Sequence, residues 1–229
     1  MSKTRLLEAI RALDVATAGA LLDAKPSLMA ITDRAGLALI FAACSVDCAA
    51  LGVPESAAVR MVKALVARGA DPRAEMITAR EGHRINTTWF AAARGKNRRL
   101  VRFLVEQDAA PLGLFAAGYA EDLPMIRLLV ELGADVDEVV GDGTPFLLCW
   151  TTRRFKAAAL LLRSGADVNV QDGRGRTALH HALEKDYDLA QVRLLLEHGA
   201  ALDIADRTGV TPAARASRKR NKAYLAALG

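Results

Sequence analysis

The feature that most constrains this chain is a short apolar motif that recurs along its 229 residues. Leu161–Ala182 (LLRSGADVNVQDGRGRTALHHA) recurs as Leu195–Ala216 (LLEHGAALDIADRTGVTPAARA), so that Gly165 and Gly199 are 34 residues apart. Weaker copies lie upstream, and the six equivalent positions are 25, 69, 108, 133, 165 and 199, with a seventh, partial copy after them. A recurrence near this length predicts a stack of repeated structural units that bury one continuous core.

Each repeat has the pattern of a helix pair. In the clearest repeat, residues 177–182 open one helix, residues 186–188 interrupt it, and Val192, Leu195 and Leu196 form an i, i+3, i+4 apolar stripe on the next helix. Gly199 then suits the left-handed conformation that ends a helix. The following ten or so residues are rich in turn formers, so we expect a projecting finger between successive pairs.

This pattern resembles the ankyrin repeat family, whose unit has about 33 residues and a T-P-L-H-x-A signature. The matching residues are Thr177, Leu179, His180 and Ala182; Thr211 and Pro212; Thr144, Pro145 and Phe146; and, more loosely, Thr87, Trp89 and Phe90. The resemblance implies an all-α, ankyrin-type helical repeat solenoid of about six to seven repeats. It also implies that His180 hydrogen-bonds neighbouring backbone and locks its turn.

The resemblance covers essentially the whole chain and predicts a single ankyrin repeat domain over residues 1–229. Within it, residues 1–32 are expected to form an N-terminal capping helix pair, with Asp14 capping the second helix. Residues 33–210 are the central repeats, and residues 211–229 are a C-terminal capping unit.

Three departures from the repeat mark candidate sites of a specific surface. Cys44–Ser56 replaces the tight turn inside the second repeat and is expected to extend its first helix. Ala70–Thr87 lengthens the finger that opens the third repeat, whereas Ala109–Phe115 leaves the fourth repeat almost without one. We expect a notch where the long finger stands beside the missing one.

Charge and cysteine content limit which kind of partner and which cellular compartment are expected. Residues 73–102 carry eight basic and two acidic residues, and residues 207–229 carry six basic residues and no acidic one. Three cysteines form no disulfide framework, which predicts a reducing, cytoplasmic location. The N-terminus has no export signal, and no window is apolar enough to span a membrane. Arginine outnumbers lysine by 23 to 8, a bias typical of a bacterial genome.

Catalytic, cofactor and metal sites are disfavoured by the motifs. The glycine turns at residues 141–143 and 173–175 lack the third glycine of a dinucleotide loop, and no nucleophile has an identifiable base. Cys44 and Cys48 have no second pair to complete a metal site, so we interpret them as buried apolar residues. Trp150 is interpreted as a core residue in exchange for the small Ala157–Ala159, with an exposed interface role as the alternative. Trp89 is also expected in the core.

The candidate partner-binding residues are those that the repeat register turns outward on first helices and finger tips. His181 is among them because it neighbours His180 and is expected to point the opposite way. The set comprises Arg80, Arg84, Arg94, Tyr119, Thr151, Thr152, Arg174, Arg176, His181, Glu184, Lys185, Arg215 and Arg218.

The sequence therefore predicts a monomeric, non-catalytic protein-binding module without cofactors. Its partner is expected to be a protein with an acidic surface, held by the concave groove and the fingers. The alternative is a basic scaffold that binds nucleic acid or anionic lipid, which is disfavoured because no aromatic residues alternate with the arginines as base-stacking platforms would. An enzyme is the third possibility.

Overall fold

The computed structural model describes residues 2–33, 36–77 and 84–219. These residues form two compact units, unit 1 (residues 1–116 and 131–134) and unit 2 (residues 117–130 and 135–229). The described residues contain thirteen α-helices, one 3-10 helix and one two-stranded sheet, so the predicted fold of successive helix pairs is confirmed. The helices are α1 (Ser2–Arg11), α2 (Val15–Ala24), α3 (Leu39–Cys44), α4 (Ser56–Val66), α5 (Thr87–Ala93), α6 (Arg98–Glu106), α7 (Leu114–Tyr119), α8 (Leu123–Glu131), α9 (Pro145–Thr151), α10 (Phe155–Arg163), α11 (Ala178–Glu184), α12 (Leu189–Glu197) and α13 (Pro212–Lys219).

Unit 1 stacks three helix pairs in two layers. The first helices α1, α3 and α5 pack in sequence order, and the second helices α2, α4 and α6 do the same behind them. The carboxylate of Asp14 accepts a hydrogen bond from the backbone N–H of Thr17, so the predicted cap of α2 is confirmed. Ile10, Leu39 and Leu100 are fully buried, which makes the core a continuous aliphatic layer along the stack.

The long finger of the third repeat contains an antiparallel hairpin that the repeat pattern did not predict. Strand β1 (Glu75–Ile77) pairs with β2 (Arg84–Asn86), in the register Glu75 to Asn86 and Ile77 to Arg84. The tip at residues 78–83 lies outside the described residues, so the notch beside it stays a prediction. Asn86, one residue before the matched Thr87, caps α5 by accepting from the N–H of Trp89.

Trp89 is only partly buried, which differs from the expectation that it belongs to the core. Its ring meets Phe90 edge-on with centroids 5.2 Å apart. Phe90 itself is buried and contacts Phe41 at 4.9 Å, so Phe90 fills the space between the second and third repeats.

The insertion of the second repeat does not extend its first helix, and that expectation is wrong. Helix α3 ends at Cys44, and Cys48 lies in a separate turn over residues 48–52. Ser45 closes the helix because its hydroxyl donates to the carbonyl of Phe41 at 2.7 Å. Both cysteines are buried, as predicted, and burial raises the pKa of the Cys44 thiol.

Unit 2 packs α9 against α10 and α11, and α11 against α12 and α13. Trp150 on α9 has an exposed fraction of 0%. Its indole Nε1 donates to the carbonyl of Ala178 at 2.9 Å, and the hydroxyl of Tyr187 donates to the carbonyl of Trp150 at 3.3 Å. The small Ala157 and Ala158 on α10 are also fully buried, so the predicted core position of Trp150 is confirmed, and the exchange of volume with these alanines stays a prediction.

Candidate functional site

His180 fastens the finger of the seventh repeat to the start of α11. Its Nδ1 atom accepts from the backbone N–H of Thr177 at 3.1 Å, so Nε2 carries the proton and donates to the carbonyl of Val210 at 3.0 Å. The ring is fully buried. The structural role predicted for His180 is therefore confirmed, and both of its ring nitrogens are occupied.

His181 is not turned outward, and the expectation that its side chain faces a partner is wrong. It has an exposed fraction of 3%, and its Nε2 atom lies 3.0 Å from the Oδ2 atom of Asp172. The reason is that Asp172, in the finger before α11, folds back over the first turn of that helix. Burial, followed by the positive charge of Arg176, lowers the pKa of His181 below its usual 6.5.

Asp172 organises the finger of the sixth repeat. Its Oδ1 atom accepts from the backbone N–H groups of Arg174 (2.8 Å) and Arg176 (2.9 Å), while its Oδ2 atom accepts from the guanidinium of Arg176 at 2.9 and 3.0 Å. Burial alone would raise the pKa of Asp172, but the hydrogen bonds from Arg176, Arg174 and His181 together outweigh it and lower the pKa to about 2. The finger is thus held by a charged carboxylate.

Asp206 repeats this arrangement one repeat later. Its Oδ1 atom accepts from the N–H and hydroxyl of Thr208 and from the N–H of Val210, at 2.6 to 3.1 Å. The hydrogen bonds from Thr208 and Val210 lower the pKa of Asp206. Its Oδ2 atom accepts from the guanidinium of Arg215 at 3.2 Å, and Arg215 occupies the position of His181 in the repeat. The two fingers are therefore built by equivalent acid–base pairs.

Glu184 joins these two pairs. Its Oε2 atom lies 3.1 Å from Nη1 of Arg176 and 3.9 Å from Nη1 of Arg215. Arg176 and Arg215, both predicted to be partner-binding residues, are consequently part of an ion-pair network and are only partly exposed. The Nε atom of Arg215 is buried and has no hydrogen-bond partner among the described residues.

A cleft of about 310 Å³ opens between the two fingers of unit 2. Four arginines line it together with Glu184, Asp206, Gly173 and Thr208; the arginines are Arg174, Arg176, Arg207 and Arg215. The N–H of Arg207 donates to the carbonyl of Arg174 at 3.0 Å, which fixes the distance between the two finger tips. Arg174 and Arg207 are exposed, and no ion pair of either is found among the described residues.

A second groove, of about 360 Å³, lies on the first-helix side of unit 1. Arg94, predicted as a partner-binding residue, stands at this groove just beyond α5. Its guanidinium lies over the ring of Phe90, 5.3 Å from the centroid, and the side chain is exposed. The groove also includes Ser45–Asp47 and Ala50–Leu51 of the insertion.

The other predicted site residues have different surroundings. Tyr119 in unit 2 is 55% exposed, and the guanidinium of Arg154 lies 5.5 Å from its ring. The hydroxyls of Thr151 and Thr152 donate to carbonyls of their own helix at 2.9 and 2.7 Å. The exposed Lys185 donates to the carbonyl of Thr151 at 3.4 Å. Both threonine hydroxyls are therefore satisfied within α9.

The basic segment at residues 73–102 is partly neutralised. Of its seven basic residues that the structure describes, four form ion pairs, which are Arg73 with Asp71 (3.4 Å), Arg84 with Glu75 (2.8 Å), Lys96 with Asp47 (3.3 Å) and Arg102 with Glu131 (3.1 Å). Arg80 lies outside the described residues. Arg218 lies on α13, but its side chain is also outside the described part.

The sequence model of a family described as ankyrin repeats in three copies matches residues 148–228. Residues 148–228 therefore match ankyrin repeats. The matched stretch contains Asp172, His180 and the arginine-lined cleft of unit 2. Ankyrin repeats generally mediate protein–protein interactions, which their stacked units support through extended binding surfaces.

Similar proteins also carry ankyrin repeats. An ankyrin repeat protein of Rickettsia bellii is 28% identical over 115 residues, which are 50% of this chain and 48% of that protein. Rabankyrin-5 of Mus musculus is 30% identical over 144 residues, which are 62% of this chain and 12% of that protein. The chain thus spans about half, or much less, of the length of these relatives.

The crystal structure of the ankyrin repeat domain of Bcl-3, a unique member of the IkappaB protein family, has the same fold. Its TM-score is 0.75 over 98% of this chain and 97% of that chain, at 24% sequence identity. At this identity the likeness concerns the ankyrin repeat fold alone.

Sequence reasoning missed the acidic residues that build the ankyrin fingers. The available signal was the recurrence of Asp172 as Asp206, each five positions before the signature Thr177 or Thr211. It also missed Leu51 and Asp47 of the insertion. Among the described residues no group of three His, Cys, Asp or Glu side chains is placed to hold a metal ion. No helix in the described ranges has the length and hydropathy of a membrane span.

Proposed function

We propose that this chain is a non-catalytic protein-binding module that engages an acidic surface of its partner through fingers and first helices. The observation that carries the proposal is the cleft of unit 2, where Arg174 and Arg207 stand exposed on two fingers held by Asp172 and Asp206. The module is further proposed to act as a cytoplasmic monomer. Its three free, buried cysteines support a reducing compartment.

The geometry supports binding because the cleft is organised before a partner arrives. Hydrogen bonds from backbone N–H groups to Asp172 and Asp206 hold each finger, so little conformational entropy is lost when the arginines bind. The exposed guanidinium groups of Arg174 and Arg207 can each take a carboxylate in bidentate geometry. An acidic partner would be attracted at a rate that falls as salt rises.

Affinity capture from an extract of the source cell, at low and at moderate salt, tests this proposal. The bait is the full chain, the charge-reversed variant Arg174→Glu/Arg207→Glu, or the control Arg127→Glu/Arg193→Glu. The control changes the same charge on exposed positions of the second helices α8 and α12. We expect acidic proteins to be retained by the wild type and the control, and to be lost from the finger variant.

Two results would contradict the proposal. Retention of the same proteins by the finger variant would remove the cleft from the binding surface. Binding of random duplex DNA or of anionic vesicles as tightly as any captured protein would favour the alternative of a basic scaffold for nucleic acid or lipid.

A further inference from the structure

The insertion of the second repeat is a built element of unit 1. The Oδ1 atom of Asp47 accepts from the N–H groups of Ala49 (3.1 Å) and Ala50 (3.2 Å), and these bonds shape the turn. The Oδ2 atom of Asp47 lies 3.3 Å from Nζ of Lys96 in the third repeat. The start of the insertion is therefore fastened to the neighbouring repeat.

Its far end is fastened as well. Asn97 is fully buried, and its Nδ2 atom donates to the carbonyl of Glu55 at 3.0 Å. The backbone N–H of Arg99 donates to the carboxylate of Glu55 at 3.0 Å. Because both ends are bonded to the third repeat, the residues between them form a fixed wall.

Close packing places Arg94 opposite this wall. Gly95 is buried against the end of α3, and a Cβ atom at this position would overlap the carbonyl oxygen of Cys44 and approach that of Val46 to 3.3 Å. The absence of a side chain lets α5 end directly beside the insertion. Arg94, the preceding residue, is thereby held at the groove that the insertion borders.

The groove has an apolar lining and an apolar wall residue that faces solvent. Its apolar residues are Leu37, Ala42, Val46, Ala50 and Leu51. Leu51 is 46% exposed. The repeats with a tight turn between their helices have no residue equivalent to it. An exposed leucine beside a groove of this size is suited to an apolar side chain of a partner.

Not every charged side chain at the groove is paired with an opposite charge. Asp33 lies 3.9 Å from the guanidinium of Arg11, and Asp47 is paired with Lys96. For Arg94 no ion pair is found among the described residues, and its guanidinium lies over the face of the Phe90 ring. Among the described residues, Arg94 is therefore the positive charge at the groove that has no ion pair, and its natural complement is a carboxylate.

We infer that this groove binds a segment of a protein partner in which an apolar side chain stands close to a carboxylate. The apolar side chain would pack against Leu51 and Val46, and the carboxylate would pair with Arg94. This inference rests on the proposed function, because it names the chemistry of a partner for the protein-binding module. It concerns unit 1 alone, whereas the proposed function is carried by the cleft of unit 2.

Short random peptides displayed on phage, selected on the immobilised full chain, test the inference. We expect enriched peptides to contain Leu, Ile, Met or Phe within a few residues of Asp or Glu. Synthetic copies of them should bind Arg94→Gln and Leu51→Ser about tenfold or more weakly than the wild type. Higher salt should weaken binding to the wild type and leave binding to Arg94→Gln almost unchanged.

Two matched controls separate the groove from general effects. Val139→Ser removes another exposed apolar side chain, and Arg127→Gln removes another exposed arginine. Both should keep wild-type affinity, and circular dichroism should show equal helix content in all variants.

Three results would overturn the inference. They are enriched peptides without an acidic residue, peptides that bind Arg94→Gln and Leu51→Ser as tightly as the wild type, and no enrichment at all. None of these results would affect capture of acidic proteins by the cleft of unit 2. Failure of the proposed function is thus distinguishable from failure of this inference.

Discussion

The imidazole Nε2 atom of His181 lies 3.0 Å from the Oδ2 atom of Asp172, nine positions earlier in the chain. The same spacing recurs one repeat later, where Arg215 lies 3.2 Å from Asp206. In both repeats the acid of the finger is bonded to a basic side chain on the first helix. The difference is that His181, whose pKa is lowered below 6.5 by burial, becomes charged only in acid, whereas Arg215 is charged throughout.

This difference predicts a pH dependence of stability. Because the pKa of His181 is below 6.5 in the folded chain, the unfolded chain binds more protons, and the free energy of unfolding should fall as the pH drops through 6.5. The slope should be at most about 1.4 kcal/mol per pH unit. His181→Gln keeps a donor for Asp172 but does not titrate, so urea unfolding from pH ~7 to ~5 should show a flatter profile. Equal slopes for the two proteins would contradict this assignment.

Asp172 should add a second, separate transition to the pH dependence of stability. Its pKa is about 2 in the folded chain against the usual 3.8, so its contribution to stability is present above pH 3.8 and is lost as the pH falls towards 2. Asp172→Asn should therefore weaken the acid limb of the stability profile and leave the His181 limb in place. Loss of both limbs in this variant would indicate that the two groups titrate as one.

His180 should contribute to stability through hydrogen bonds. His180→Ala leaves the N–H of Thr177 and the carbonyl of Val210 without their partner, and it should lower the free energy of unfolding by about 1 to 3 kcal/mol. Lys185→Ala, on the exposed side of the same helix end, should change it by less than about 0.5 kcal/mol. Equal effects in chemical denaturation would mean that the finger is not held by His180.

Gly95 and Gly143 form a matched pair of glycine tests. Gly95→Ala should destabilise unit 1 by about 1 to 3 kcal/mol, because the new methyl group would overlap the carbonyl oxygen of Cys44. At Gly143 the added Cβ atom would meet only Leu147, at 3.9 Å, so Gly143→Ala should be nearly neutral. Thermal and urea unfolding of the two variants measures the difference. A neutral Gly95→Ala would show that the insertion packs less closely than the structure has it.

Trp150 should be among the costliest residues to remove. Trp150→Ala deletes a fully buried indole that contacts Phe155 and Tyr187, and it should cost about 3 to 5 kcal/mol. Trp89→Ala should cost less, since that ring is only partly buried. If the order of the two losses in urea unfolding were reversed, the burial assigned to them would be wrong.

We expect the long finger at residues 70–87 to contribute to partner binding in a salt-dependent way. Reversing Arg80 and Arg84 to Glu should weaken binding of a captured partner by roughly 1 kcal/mol at low salt, and the loss should shrink above about 0.15 M salt. Reversing Arg218 and Lys219, in the C-terminal capping repeat, should weaken it less. Titration calorimetry at two salt concentrations compares the variants, and a larger loss at the C-terminal positions would place the binding surface there.

Repeat spacing and local sequence were enough to predict the helix pairs, the cap at Asp14 and the buried Trp150, and the resemblance to ankyrin repeats implied the role of His180. Each of these depends on local sequence or on a position that recurs every repeat. Repeat spacing did not predict the burial of His181, because Asp172, which covers it, lies on a finger whose backbone folds back on the helix. Nor did it predict the hairpin of β1 and β2, which is held by pairing across an interval with no repeat pattern.

The candidate binding surface was likewise predicted only in part from the sequence. The sequence by itself determined that the chain consists of helix pairs and that arginines occur on the fingers, because the recurring motif sets where each helix pair ends and each finger begins. Only the tertiary structure decided which charges are available. Arg176 and Arg215 are paired with acidic side chains, whereas for Arg174, Arg207 and Arg94, which also line the clefts, no ion pair is found among the described residues. The physical reason is that the charge a partner meets depends on the distances between charged side chains in the folded chain, which residue order alone does not set.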